Sequence, residues 1–260
     1  MIAFLYLGVL VFAGDALASR WLSYRSIAHR LATGLLVGLL AGTWLTYLVA
    51  LALSDVVDDP LAIGAVVSGV GLALAAVLIR RVAPRSELSS IDAGGASRGE
   101  WIVIGLFSAL IAWMMLSTYD YTSGTLRIAT SLWSDFGPTT AIAQNFALGN
   151  DFPTEYPHYA GEPIRYHFLF YFQVGNLTYL GLDPALANNV LSISTLVAML
   201  ILVMTLGERL FRSRVVGWIG AGLFFFHGAL SFIPYVGGLG SLAAIIDEIP
   251  RLDRFMVSGF

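Results

Sequence analysis

Ionisable side chains gather in one mostly polar interval that separates two strongly apolar stretches of the chain. Asp135 lies near the middle of this interval, and Glu162, Arg165 and His167 follow later in it. A carboxylate can accept the proton of a substrate hydroxyl as a general base. An arginine can bind a phosphate through its forked donors, and a histidine can relay a proton at neutral pH. Together these residue types predict acid–base chemistry on a substrate that carries a phosphate.

Each candidate also has a structural interpretation. Asp135 stands where a short helix is predicted to begin, and Asp is a preferred N-cap residue. Arg165 and His167 could instead anchor an interfacial helix by snorkelling, with nearby tyrosines as an aromatic belt. We predict a catalytic group of Asp135, Glu162 and His167, and a substrate-binding group of Arg165, Tyr166 and Asp120.

A second set of side chains in the same interval is compatible with a metal. Asp151, Glu155 and His158 offer two carboxylates and an imidazole, which are ligand types for divalent cations. Their spacing matches no established metal motif, so an ordinary solvated loop is the alternative interpretation. The chain has no cysteine, which excludes disulfides and thiolate metal sites. The sequence therefore predicts no cofactor with certainty and leaves a divalent cation possible, with no metal ligand assigned.

The composition is typical of an integral membrane protein. Of 260 residues, 57% are hydrophobic and only 12% are charged, and the mean hydropathy is +0.78. Membrane lipids are therefore expected to surround most of the chain. The sequence has no basic patch and no glycine-rich phosphate loop after a strand, so we expect no nucleic-acid partner.

Six apolar segments are long enough, or nearly long enough, to cross about 30 Å of hydrocarbon as helices. The five stronger ones are Leu31–Leu53, Leu61–Ile79, Trp101–Ser117, Asn188–Leu206 and Val215–Pro234. The sixth, Ile2–Ala18, is weaker because Asp15 lies near its end. The pattern predicts an all-α, polytopic membrane protein with about six transmembrane helices.

The arginines indicate how a seventh apolar stretch, Tyr166–Leu182, is placed. Clusters at 20–30, 80–98 and 209–214 contain ten of the fourteen arginines. Short arginine-rich loops remain in the cytoplasm, and all three clusters share one side only if Tyr166–Leu182 does not cross. We therefore predict that it is an interfacial or re-entrant helix, and that residues 118–187 form an extracytoplasmic loop. A crossing helix, the alternative, would place the cluster at 209–214 outside.

Composition divides the chain into four regions. Residues 1–79 are predicted to form a three-helix membrane unit, 80–100 a cytoplasmic linker, 101–234 a second membrane module and 235–260 an extracytoplasmic tail. The tail ends without a terminating element, so we expect the chain to be the N-terminal part of a longer protein. Three prolines within Asp151–Pro163 predict that this part of the loop is irregular.

The order of features from Trp133 to Phe211 resembles a known arrangement. An acid, Asp135, follows a helix that reaches the outer face, and a short amphipathic helix then ends in the pair Gly149-Asn150. A proline and aromatic segment, Pro163–Tyr171, comes next, and the following helix leaves through Arg209-Leu210-Phe211. This order resembles the first outer-loop module of the GT-C superfamily, polytopic glycosyltransferases that use polyprenyl-phosphate sugars.

Within that superfamily, Gly161–Phe168 is similar to a segment of bacterial and archaeal membrane proteins named for a Tyr-Tyr-Tyr signature, altered here to Tyr-His-Phe. The resemblance implies a GT-C-like module, a polyprenyl-phosphate-linked sugar as donor and a lipid or cell-envelope acceptor. It also implies that Asp135 matches the catalytic acid of the first outer loop, on the outer face of a prokaryotic plasma membrane.

Two other functional classes stay open. A non-catalytic membrane protein, such as a scaffold or a lipid-binding relative, would use Asp135 for stability rather than for turnover. A transporter would need polar groups at the midplane of several helices, and the five stronger segments nearly lack them. The sugar, the acceptor and the oligomeric state have no signature in the sequence.

Overall fold

The computed structural model describes residues 2–82, 97–129, 133–226 and 232–248, and within these ranges the protein is mostly helical. The predicted linker at 80–100 and tail at 235–260 lie partly outside the described residues. The helices are α1 (Ile2–Ala18), α2 (Ile27–Leu53), α3 (Pro60–Val82), α4 (Arg98–Thr118), α5 (Trp133–Gly149), α6 (Leu169–Tyr179), α7 (Pro184–Phe211), α8 (Arg214–Phe225), α9 (Phe232–Gly238) and α10 (Leu242–Glu248). The strands are β1 (Tyr119–Thr122), β2 (Thr125–Ile128), β3 (Glu155–Tyr156) and β4 (Tyr159–Pro163).

Four helices, α2, α3, α4 and α7, are long and apolar enough to cross a membrane. Each contains one of the predicted segments and extends a few residues beyond it. Helices α1 and α8 are apolar but shorter, with 17 and 12 residues. The predicted segment Val215–Pro234 is not a single helix, because Phe226 leaves the helical conformation and Pro234 lies in the separate α9.

Helices α1 and α2 pack closely because glycines line their contact. A Cβ added at Gly38 would lie 1.9 Å from the carbonyl oxygen of Leu10. One added at Gly14 would lie 2.0 Å from the carbonyl oxygen of Gly34. Helices in a bilayer associate mainly through such close packing, since lipid tails are as apolar as the side chains.

One end of the helix bundle is joined by charged side chains. Asp15 lies 2.5 Å from Arg30 and 2.7 Å from Arg80, which connects α1, α2 and α3. Glu208 on α7 lies 2.8 Å from Arg25, so the third arginine cluster meets the first. We call this the arginine-rich end; it comprises residues 15–30, 79–81, 97–100 and 208–214. The described arginines of the three clusters that the sequence predicts on one side therefore share one end of the bundle.

The opposite end, which we call the loop end, comprises residues 54–59, 119–129 and 133–183. Asn150 donates a hydrogen bond to the Asp58 carbonyl at 2.8 Å, so the long loop lies against the α2–α3 turn. Asn189 near the start of α7 donates to the Tyr119 carbonyl at the end of α4, at 2.7 Å. Helix α6 has 11 residues and is about 16 Å long, too short to span a bilayer. The chain therefore returns to the end from which the loop started.

The loop end contains strands that were not expected from the sequence. Strand β3 pairs antiparallel with β4, with Tyr156 opposite Tyr159. The prediction that Asp151–Pro163 is irregular is therefore wrong for its second half. The prolines are tolerated because Pro157 lies in the turn between the strands and Pro163 is the last residue of β4.

Candidate functional site

Asp135 lies in the first turn of α5, at the loop end. It is the third residue of a helix that begins at Trp133, so it is not the N-cap that the alternative interpretation required. Its side chain is exposed, and a carboxylate in a first turn is stabilised by the helix dipole. Thr139 donates a hydrogen bond to the Asp135 backbone carbonyl at 2.7 Å. The position of the carboxylate therefore leaves it accessible to a substrate.

A cavity of about 650 Å³ opens beside Asp135. Four helices contribute to its wall, because α4, α5, α6 and α7 meet here. The lining side chains are Met115, Ser134, Asp135, Phe136, Pro138, Thr139, Ile142, Tyr156, Tyr166, Phe170, Tyr171, Asn188 and Ser192. Among the described residues, Asp135 is the one acid in this lining, and no lysine, arginine or histidine belongs to it. One carboxylate surrounded by hydroxyl, amide and aromatic groups suits a substrate rich in hydroxyls.

Tyr171 on α6 connects the wall of the cavity to the carboxylate. Its hydroxyl lies near the hydroxyls of Tyr166 and Thr139 and is influenced by the charge of Asp135. Burial, together with the neighbouring Tyr166, raises the pKa of Tyr171 to about 12. The phenol therefore stays protonated at neutral pH, where it can donate a hydrogen bond but cannot act as a base.

A second cavity of about 360 Å³ adjoins the first, and Tyr156 and Tyr166 line both. Glu162 and Arg165 lie in its wall. Their charged groups are 4.0 Å apart, and the side chains are 67% and 81% exposed, respectively. Such an exposed pair contributes little stability, so Arg165 can exchange Glu162 for an anionic ligand at small cost.

The other two predicted site residues lie outside the lining of these cavities. The His167 ring is exposed and its centroid lies 3.8 Å from that of Tyr166 and 6.0 Å from that of Tyr171. Asp120 lies on the exposed strand β1, where Thr122 donates a hydrogen bond to its carboxylate. The structure thus groups Asp135, Glu162, Arg165 and Tyr166, places His167 at their edge and leaves Asp120 apart. The assignment of Asp120 to substrate binding stays a prediction, and neither cavity lining includes this residue.

Packed aromatic rings position α5 and α6 around the site. Phe146 on α5 and Phe172 on α6 are fully buried, and their centroids lie 5.2 Å apart in an edge-to-face contact. Tyr47 on α2 lies 5.3 Å from Phe172, and its hydroxyl is 2.8 Å from that of Thr154 in the loop. The predicted unit 1–79 therefore helps to hold the loop that carries the candidate residues.

The predicted metal candidates do not converge. Within the part of the chain that the structure describes, no three His, Cys, Asp or Glu side chains are grouped as a metal ion would require. Asp151 accepts a hydrogen bond from the Glu155 N–H at 2.8 Å, and the Glu155 carboxylate accepts one from the Gly161 N–H at 3.1 Å. The His158 ring packs edge-on against Tyr156 at 5.3 Å. These contacts favour a structural role for all three candidates in shaping the loop.

Asp151→Asn is expected to flatten the low-pH dependence of stability. Asp151 is buried, and burial raises the pKa of its carboxyl above the ordinary value of 3.8. The folded protein thus holds this proton more tightly than the unfolded chain does. The resulting stabilisation is fully present below the unfolded pKa and is lost as the pH rises through the raised folded pKa. Thermal unfolding at several pH values from 3.8 upward measures this slope.

The amide introduced by Asp151→Asn would retain an acceptor for the Glu155 N–H without a buried charge, so the variant should be at least as stable as the wild type at pH 7. The exposed Asp55→Asn is the control and should leave the profile unchanged. A variant at position 151 that loses stability at neutral pH would show that the ionised carboxylate is needed, for example by a bound cation.

Several lining residues were not singled out by sequence reasoning. In the sequence, Tyr171 ends the proline and aromatic segment Pro163–Tyr171 and Asn188 begins an apolar segment, and neither position by itself indicates a role in binding. A usable signal existed on α7, where Asn188 and Ser192 are four residues apart and so share one face of the helix. Tyr156 had no comparable signal, since it reaches the cavity from a short strand.

Comparisons with known proteins assign the chain to no family: no family model, no curated protein and no solved structure matches it.

Proposed function

We propose that this protein is a membrane glycosyltransferase that transfers a sugar from a polyprenyl-phosphate donor to a lipid or cell-envelope acceptor. One observation carries the proposal. An exposed carboxylate, Asp135, lines a large cavity whose other described side chains are uncharged hydroxyl, amide, aromatic and aliphatic groups, at the end of an apolar helix bundle. The resemblance of the loop to GT-C enzymes supports the same assignment.

In the proposed reaction, Asp135 accepts the proton of the acceptor hydroxyl. The acceptor oxygen forms a bond to the anomeric carbon while the bond from that carbon to the phosphate oxygen breaks. Polyprenyl phosphate leaves with the bonding electrons, and the configuration at the anomeric carbon is inverted. Tyr171 stays protonated and donates a hydrogen bond to the sugar, whose apolar face packs against Tyr166.

The donor phosphate is proposed to lie in the smaller cavity. Arg165 is the one cation among the described residues that line that cavity, and its guanidinium offers forked donors to phosphate oxygens. His167, whose ring lies against that of Tyr166 at an angle of 35°, would assist as a further donor. The polyprenyl tail would leave beside α6, past Phe170 and Met115, which line the part of the larger cavity contributed by α6 and α4.

We further propose that the arginine-rich end is cytoplasmic and the loop end extracytoplasmic, with the 17-residue α1 as a fifth crossing. Helix α8 has only 12 residues and is proposed to enter the bilayer from the cytoplasmic side without crossing it alone. The retention of arginine-rich segments in the cytoplasm supports this orientation. The Asp135 cavity then faces outward, on the side where a flipped lipid-linked donor is available.

A lipid-binding protein without turnover is the second candidate. The observation that favours it is the high exposure of Arg165 and Glu162, which lie outside the cavity that contains Asp135. A binding protein could hold a lipid phosphate at Arg165 without any reaction at Asp135. The test that separates the two is transfer of labelled sugar from a polyprenyl-phosphate donor by the full chain in liposomes, with Asp135→Asn as the comparison.

Single cysteines at Ser134 and Ser213 are expected to report opposite sides of the membrane, and the chain has no cysteine of its own. Ser134 is exposed at the loop end, and Ser213 caps α8 at the arginine-rich end. In intact cells, a membrane-impermeant thiol reagent should label Ser134→Cys and not Ser213→Cys. Permeabilised cells should allow labelling of both, which is the control for reactivity.

Labelling of both variants in intact cells would contradict the prediction that all three arginine clusters lie on the same side of the membrane. Labelling of Ser213→Cys alone would show that the arginine-rich end faces outward and the loop end faces the cytoplasm. An extracytoplasmic transferase with its site at the loop end would then be excluded.

A further inference from the structure

A separate cavity lies on the side of the bundle between α2, α6 and α7. Its volume is about 190 Å³, and its wall is largely apolar, with Leu39, Leu169 and Leu191 among the lining residues. Leu40 and Trp44 at its rim are 63% and 42% exposed, so the cavity opens sideways, where the acyl chains of a bilayer would lie. Such an opening admits a lipid chain from the membrane.

One polar group in this apolar cavity has an unused hydrogen-bonding capacity. Gln173 is only 3% exposed, and its amide oxygen accepts a hydrogen bond from the Thr43 hydroxyl at 3.2 Å. Its amide nitrogen is buried and has no hydrogen-bond partner among the described residues. Leaving a buried donor unpaired is unfavourable, so an occupant that offers an acceptor to this nitrogen gains affinity.

The depth of the cavity indicates which acceptor is available. Helix α7 has 28 residues and is about 42 Å long, about 12 Å longer than the hydrocarbon layer. If the excess is shared equally, the boundary lies about 6 Å below Pro184. Leu191 lies seven residues after Pro184, about 10 Å along the helix, and so a few ångströms inside the hydrocarbon. The ester carbonyls of a glycerolipid lie close to this boundary.

We infer that this cavity is a binding site for an ester-linked glycerolipid of the surrounding bilayer, with a lipid carbonyl accepting a hydrogen bond from the Gln173 amide. A pure hydrocarbon chain, including an isoprenoid tail, has no acceptor and would leave the nitrogen unpaired. A protein helix is too wide for the space. The cavity shares Phe170 with the Asp135 cavity, so the bound lipid lies next to the proposed site. The inference requires membrane embedding and does not depend on sugar transfer.

The test compares a diacyl phosphatidylcholine with its dialkyl ether analogue, which lacks the carbonyls. Binding of each lipid to the full chain in detergent is titrated by native mass spectrometry. The wild type should bind the diacyl lipid about 5- to 10-fold more tightly, as expected for one net hydrogen bond. Gln173→Leu should bind both lipids equally, with the affinity of the wild type for the ether analogue. Gln144→Leu, which removes a buried amide from α5 outside this cavity, should keep the preference.

Leu40→Trp adds bulk at the rim and should reduce binding of both lipids to the non-specific level, which tests the location even if Gln173→Leu fails to fold. Equal affinities in the wild type would overturn the inference, because water would then satisfy the amide. A preference that persists in Gln173→Leu, or that disappears in Gln144→Leu, would overturn it as well. None of these measurements requires transfer activity, so they remain informative if the proposed enzyme function fails.

Discussion

Asp135→Asn is expected to reduce the rate of sugar transfer by about 100- to 10,000-fold, the usual contribution of a general base. Asparagine has nearly the same size and keeps an acceptor oxygen, but it cannot take the proton of the acceptor hydroxyl. Because Asp135 is exposed and lies in the first turn of α5, the substitution removes no buried contact. Donor binding and thermal stability should therefore change little, while initial rates of transfer in liposomes collapse.

The matched control is Asp55→Asn, which replaces another exposed acid at the loop end. It should leave transfer unchanged, because residue 55 lies in the α2–α3 turn and lines neither the Asp135 cavity nor the Arg165 cavity. Full activity of Asp135→Asn would refute its role as the base. A variant that instead loses thermal stability would favour the non-catalytic alternative, in which the acid serves the fold.

The membrane helices could be predicted because their signal is local. A long apolar run is sufficient to form a helix of spanning length. The predicted segment Leu31–Leu53, for example, ends at the same residue as α2. The arginine clusters predict that Tyr166–Leu182 does not cross, and the 11 residues of α6 agree with this. Its interfacial position stays a prediction. The contact between Arg25 and Glu208 is the structural counterpart of that charge pattern.

The cavities could not be predicted because they depend on contacts between distant parts of the chain. Tyr47 and Thr154 are 107 residues apart, and their hydroxyls hold the loop against α2. Strand β3 is local, but it depends on pairing rather than on its own two residues: it pairs with β4, and Tyr156 stacks on Tyr159 at 5.8 Å. Tyrosine favours strands through such cross-strand packing, which outweighed the prolines around it. The secondary-structure propensities of single residues describe neither the Tyr47–Thr154 contact nor the Tyr156–Tyr159 contact.

Gly175→Ala is expected to disturb the site without touching a substrate. Helix α6 approaches α5 so closely at this point that an added Cβ would lie 2.4 Å from the Ala143 carbonyl oxygen and 3.0 Å from the Phe146 Cβ. The Ala143 oxygen belongs to the backbone, so the two helices must move apart. Helix α5 carries Asp135 and α6 carries Tyr171, and a displacement of about 1 Å between reacting groups can lower a rate by about 100-fold.

The same substitution should lower the free energy of unfolding by about 1–3 kcal/mol through overpacking, partly offset by the better helix propensity of alanine. Gly71→Ala on α3 is the control, because nothing lies within 4 Å of an added Cβ there, and it should be neutral or slightly stabilising. Transfer rates and thermal unfolding of both variants give the comparison. If Gly175→Ala kept both its stability and its rate, α5 and α6 would not be held at the separation that brings Asp135 and Tyr171 to one cavity. The proposed site would then lose its geometric basis even if Asp135→Asn were inactive.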